Sequence, residues 1–221
     1  MIGKHLPVGS HHARQLHLAH AQRATDERLW AEVGVDADLG RRVELGVDQQ
    51  LRLGAEAGFV ETHTQLEVGV RLARFARVGA LYRFSVLDGE QRHRLAGRGD
   101  LRLERGKVTA SYRLTVQETF RPAEQQLVIR NRGKLAVDAS KRLAPFASVE
   151  LHHQLAPVSE FRELRLVLGA EYRLTRRWDL AGYYLFQDEA NVKVPERNHV
   201  LGVGVTFHLG ALGGHDAGPT E

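Results

Sequence analysis

The side chains best equipped for chemistry in this chain are arginines and carboxylates, and they recur at every second position. Of the 31 basic residues 26 are arginine and 5 lysine, set against 27 Asp and Glu and 12 His. In "RHRLAGRGDLRLE" (92–104), Arg94, Arg98, Asp100, Arg102 and Glu104 share one parity. The same parity elsewhere collects Arg52, Arg71, Arg83, Arg113, Arg130, Arg132, Arg165 and Arg173. Their acidic counterparts are Glu32, Asp36, Glu44, Asp48, Glu67, Asp138, Glu150, Glu163 and Glu171. Guanidinium forks match carboxylates in geometry and charge. One enclosed face holding this set would be a network of ion pairs.

The histidines carry less. His11-His12 and His152-His153 are adjacent pairs, and neighbours on a strand face opposite ways, so neither pair chelates one ion. A lipid hydrolase would need serine and histidine together on an outer wall near one rim. His153, Ser159 and His199 fall near such a rim, but their spacing marks no nucleophile. There is no P-loop, dinucleotide fingerprint or zinc motif, and no helix follows the glycines of "GVGV" to cradle a phosphate. Basic residues alternate with acidic ones along the whole chain instead of clustering, which argues against a nucleic-acid partner. No catalytic residue, metal or cofactor is therefore expected.

The elements that must position these charges are strands. In "KVTASYRLTVQE" (107–118), Val108, Ala110, Tyr112, Leu114 and Val116 alternate with polar residues. Eleven segments share the pattern: 29–39, 42–53, 62–73, 76–87, 92–104, 107–118, 126–138, 143–153, 160–174, 177–187 and 198–209. The connections alternate between short basic turns, such as Gly40-Arg41-Arg42 and Arg105-Gly106, and longer mixed loops, such as 54–61 and 188–197. This describes an antiparallel meander with turns of one kind on each rim.

Two barrels fit. A soluble barrel or sandwich would bury the apolar face and bind a hydrophobic ligand inside. A membrane barrel turns that face to lipid. The strands are long: about 11 residues at a rise of about 3.3 Å, tilted about 40°, cross about 28 Å, a bilayer core. A soluble ring of this size would need apolar filling, and 8 Phe, 2 Trp and 1 Met supply little. Trp178, Tyr184, Phe186, Tyr82, Phe84, Tyr172 and Phe207 sit near strand ends, as interfacial girdles do. The reading is therefore all-β: a single antiparallel up-and-down transmembrane β-barrel, with Val108, Ala110, Tyr112, Leu114, Val116, Leu201, Val203, Val205 and Phe207 facing lipid. The arginine–carboxylate set fills the lumen. The outer membrane's lipid and the barrel assembly machinery, which would read the terminal strand ending near Phe207, are the expected partners. The mean hydropathy of −0.33 does not bear on this, since alternating strands look soluble.

The ends divide the chain into 1–28, a barrel over 29–209, and a glycine-rich flexible tail over 210–221. In "LHLAHAQ", Ala19 and Ala21 precede Gln22 as at a signal-peptide cleavage site, yet no clean apolar stretch comes before them. Alternatively, residues 11–22 form a twelfth strand, since single-chain bacterial barrels have even counts. The two readings of this segment exclude each other. With no cysteine there is no disulfide framework.

The order "LWAEVGV", "ALYRFSV", "QRHRLAGRGDLRLERGKVTASYRL", "RNRGKL", "PFASVEL", "FRELRLVLGAEYRLTRRWDL" and "NHVLGVGVTF" resembles a bacterial family of outer-membrane β-barrels catalogued as domain of unknown function 2490. The resemblance covers about 29–209 and implies an outer-membrane barrel, with little about chemistry. The function expected is a structural or narrow porin-like role in small-solute transport.

Overall fold

Backbone groups in a strand need partners on both sides, and a ring is the arrangement of strands that leaves none at an edge. The computed structural model describes residues 24–55, 58–87, 89–120, 125–192 and 194–212, and it is such a ring. The strands are β1 (Ala24–Leu39), β2 (Val43–Gly54), β3 (Gly58–Ala73), β4 (Ala76–Leu87), β5 (Glu90–Arg105), β6 (Val108–Phe120), β7 (Gln125–Val137), β8 (Leu143–Ala156), β9 (Glu160–Arg173), β10 (Trp178–Glu189) and β11 (Glu196–Leu212). Each pairs with its sequence neighbours, and β1 closes on β11.

The eleven expected strands are all present, and most are longer than their alternation suggests. β1 begins at Ala24, ahead of the boundary expected at 29, and β11 runs to Leu212, past the expected tail boundary. The twelfth strand or signal segment expected within 1–28 falls on 11–22, outside the described residues, as does most of the tail. The closing pair departs from a wholly antiparallel barrel. With an odd count the first and last strands point the same way, so β1 and β11 pair in parallel, from Ala24↔Glu196 to Leu39↔Leu212. Every other pair is antiparallel.

Burial is inverted relative to a globular domain. Val33, Leu66, Leu95, Leu103, Leu168 and Leu201 are exposed on the outer wall, while Gln50, Thr115, Gln117, Glu150, Gln154 and Asn198 are buried within the ring. The apolar faces thus point outward, which overturns the soluble reading of the alternation. Of the residues expected to face lipid, Val108, Tyr112, Leu114, Val116, Leu201 and Val203 are exposed. Ala110, Val205 and Phe207 are half-buried on the same wall. Outward polar groups bond to one another. Thr64 Oγ1 donates to Gln49 Oε1 (2.5 Å), Gln49 Nε2 donates to Thr62 Oγ1 (2.7 Å), and Thr62 Oγ1 donates to the Gln50 carbonyl (3.1 Å).

One inner wall is apolar, which alternation did not anticipate. Trp30, Leu185 and Val200 form a buried cluster with Val167 and Tyr183 packed on it. They come from β1, β9, β10 and β11, so the cluster backs the parallel seam from inside.

Candidate functional site

The inward parity gathers the charges as pairs across neighbouring strands. Toward the short turns, Arg77 holds Glu44 and Glu67. Arg98, whose side chain is only 7% exposed, holds Glu67 and reaches Asp100 through Nε at 3.0 Å. Arg113 Nε meets Asp100 at 2.6 Å, and Arg71 meets Glu44. Toward the long loops, Arg52 meets Glu61 at 2.6 Å, Arg130 meets Glu150 at 2.7 Å, and Arg165 meets Glu163. His152 lies between Glu150 and Glu163. Lys134 Nζ meets Glu171 at 2.5 Å.

Among the described residues several charges lack a close ion-pair partner. Arg83 donates through Nε and Nη2 to the neutral Gln65 Oε1 (3.1 and 2.6 Å). Arg94 Nε donates to Thr119 Oγ1 (3.1 Å). Glu32 and Asp48 accept from the amides of Gln50 (2.7 Å) and Gln65 (3.4 Å). Gln65 therefore links a bare cation on β4 to a bare carboxylate on β2. Asp36 lies 3.7 Å from His208. Arg102, Glu104 and Arg173 share the luminal parity but sit at the short-turn mouth, where Arg102 pairs only with Glu104 at 2.7 Å and is 62% exposed. Asp138 is at the same mouth, its amide donating to the Lys107 carbonyl.

The expected list omitted Arg77, Glu61, Lys134 and Trp30. Arg77 and Lys134 were findable by parity alone. Glu61 keeps the luminal parity of Gln65 and Glu67 but was assigned to a loop, because a bulge just beyond it, where Leu53 pairs with Phe59, breaks the alternation there. Trp30 lies on the polar parity, and the Arg52 guanidinium stacks over its ring at 4.0 Å.

The lumen is a series of cavities. A central one of about 370 Å³ is lined by residues of β1 through β10, which places it inside the ring. Another of about 360 Å³ lies toward the long loops. Two more, of about 580 and 490 Å³, open toward the short turns. The ion pairs of Arg77 with Glu44 and Glu67 stand between those last two.

On the outer wall His153 Nε2 lies 3.1 Å from Ser159 Oγ. His199 is elsewhere, bonded to Tyr184. Among the described residues Ser159 is His153's one hydrogen-bond partner, so no third group orients the imidazole as a hydrolase requires. No group of three or more metal-ligating side chains occurs among the described residues.

The family described as "Protein of unknown function (DUF2490)" matches residues 27–198, and the chain belongs to it. No curated protein matches the chain. Among solved structures, the NanC porin is 11% identical, with 83% of this chain and 99% of that one covered and a TM-score of 0.55. The KdgM porin is 9% identical over 72% and 82% of the two chains, with a TM-score of 0.46. A bacterial polysaccharide outer membrane secretin is 13% identical over 74% and 63%, with a TM-score of 0.49. The barrel fold is that of a porin.

Proposed function

We propose that this member of the family is an outer-membrane barrel whose narrow, charge-lined lumen passes small solutes. The observation that carries the reading is the inverted burial: exposed Leu, Val and aromatic side chains on the outer wall around a lumen of charges and amides. Soluble proteins rarely expose contiguous apolar surface on this scale, whereas lipid is the solvent such a wall fits. Aromatics gather at both ends of the wall. Trp178 and Phe207 stack at 4.6 Å near the short turns, and Phe186 lies 5.5 Å from His199 near the long loops.

The lumen supports a small solute over a wide general pore. Arginine–carboxylate pairs line it at several heights, and its free volume is divided among cavities of a few hundred Å³. Lipid of the outer membrane and the barrel assembly machinery are the partners this reading implies.

The test is gel mobility in detergent, unboiled against boiled, followed by conductance in planar bilayers. A folded membrane barrel migrates faster unheated, slows on boiling, and gives small discrete current steps. Recovery in the soluble fraction with no mobility shift would sink the membrane assignment. Heat-modifiable protein without current would leave a closed structural barrel.

A further inference from the structure

The central cavity adjoins two of its neighbours at necks whose shared lining residues are all basic, with the carboxylates that pair with most of them lining one cavity or the other. The residues shared by the long-loop cavity and the central cavity are Arg52, Arg83, Arg130 and Arg165. Those shared by the central cavity and the larger short-turn cavity are Arg113, Arg132 and Lys134. Each neck holds one guanidinium without a carboxylate. In the upper neck it is Arg83, whose side chain among the described residues bonds only to Gln65. In the lower neck it is Arg132, whose guanidinium makes no hydrogen bond or ion pair among the described residues, although Glu150 stands across from it on the next strand. The other neck cations already have carboxylate partners. Each neck therefore has a surplus positive charge with free donors in a confined space. The second route out of the central cavity differs, passing Asp48, Glu67 and Arg98.

We propose that these two necks form consecutive binding sites for a small solute with two or more carboxylate or phosphate groups. A guanidinium fork that lacks an acid accepts such a group in bidentate fashion, and confinement strengthens the contact. Glu32 and Asp48, on β1 and β2 in the central cavity, are held by amides, not by cations. They repel a polyanion, Asp48 from one amide away from Arg83 through Gln65, and so favour its release from Arg83 toward Arg132. A site that binds yet releases toward a second site is what conduction requires. This inference rests on the conduit reading and names the solute class for it.

The chain contains its own reporter. Trp30 is buried within the lumen, 4% exposed, with the guanidinium groups of Arg52 and Arg165 at 4.0 and 5.8 Å from its ring. The other of the 2 Trp is Trp178. In full-length, heat-modifiable Trp178→Phe protein, citrate is titrated at constant ionic strength against chloride and Trp30 emission is followed. The expected result is a saturable change, with Arg83→Gln shifting the midpoint at least about tenfold higher. Arg132→Gln serves as the second variant if Arg83→Gln does not fold, and it weakens citrate block of the bilayer current by a similar factor. No saturable change, or the same midpoint in the folded variants, would overturn the site. Saturable, arginine-dependent binding in a barrel that carries no current upholds the site and overturns the conduit. Current that prefers cations and ignores citrate does the reverse.

Discussion

Tyr184 Oη lies 2.5 Å from Nδ1 of His199 on the outer wall, joining β10 to β11. The same unit recurs on β4 and β5, where Tyr82 Oη lies 2.7 Å from Nδ1 of His93. In both, a phenylalanine two residues after the tyrosine sits directly across from the histidine: Phe186↔His199 and Phe84↔His93. Their rings are 5.5 and 5.3 Å apart. The two units lie near the long-loop rim and nearly opposite one another around the ring. Each gives an aromatic surface to lipid while satisfying a phenol and an imidazole that lipid cannot solvate. Replacing Tyr82 and Tyr184 by Phe removes both bonds and leaves two imidazoles without their partner. The expected loss is about 1 kcal/mol per site, read as a lower denaturant midpoint for unfolding from bilayers. An unchanged midpoint would mean that the bonds contribute nothing to anchoring.

Gly202 is where the seam tolerates least change. A Cβ placed there would stand 2.0 Å from Cζ of Tyr183, because the tyrosine ring lies flat across the glycine of the next strand. Trp30 pairs with Gly202 from the other side, across the parallel closure. Gly202→Ala must push Tyr183 off the Trp30–Leu185–Val200 cluster. Overpacking of this kind costs about 1–3 kcal/mol. The gel-shift transition should move to lower temperature in Gly202→Ala and stay in place in Gly182→Ala, where nothing stands within 4 Å.

The strand pattern was legible because each face has one solvent. Outside, apolar residues such as Leu66, Val68 and Val70 repeat without interruption, and inside, Glu67 and Arg71 fill the gaps. Strand ends were harder to read. Beyond the apolar band residues 25–28 are polar on both faces, and in 58–61 the apolar Phe59 and Val60 are adjacent, so neither stretch carries alternation although both backbones are paired. A bulge hid Arg162, since one skipped residue reverses the parity of everything beyond it. The inner apolar cluster was invisible for another reason. Trp30 and Val200 are single apolar residues on otherwise polar faces of β1 and β11, and only the closure of the ring brings them onto Tyr183 and Leu185 of β10. The necks were half legible: parity placed Arg83 and Arg132 in the lumen, but not that each lacks a carboxylate.

Ser159 and His153 are close enough for proton transfer, yet nothing orients the imidazole from its other side. The hydroxyl should therefore behave as an ordinary alcohol. Incubation of the folded barrel in phospholipid–detergent micelles with a fluorophosphonate probe is expected to give no labelling beyond that of heat-denatured protein. Labelling abolished by Ser159→Ala would establish an activated serine on the lipid wall and revive the hydrolase reading.

Arg98 ties the lower lumen together. It bonds Glu67 and reaches Asp100, while Arg77 shares the first and Arg113 the second. Truncating a side chain that is 7% exposed leaves two carboxylates crowded, each with a remaining cation that keeps the residual charge small. Stability should therefore fall by on the order of 2 kcal/mol in Arg98→Ala, less than for a buried pair broken with no substitute. The larger effect is steric and electrostatic. Arg98 lines both the central cavity and the acidic short-turn cavity, so its loss widens that passage and leaves Asp48 and Glu67 as its wall. Single-channel current should rise and its preference move toward cations. Arg132→Gln acts on the basic route, so it should move the preference the same way without enlarging the current. If both variants leave conductance and selectivity as they were, the current does not pass through these cavities.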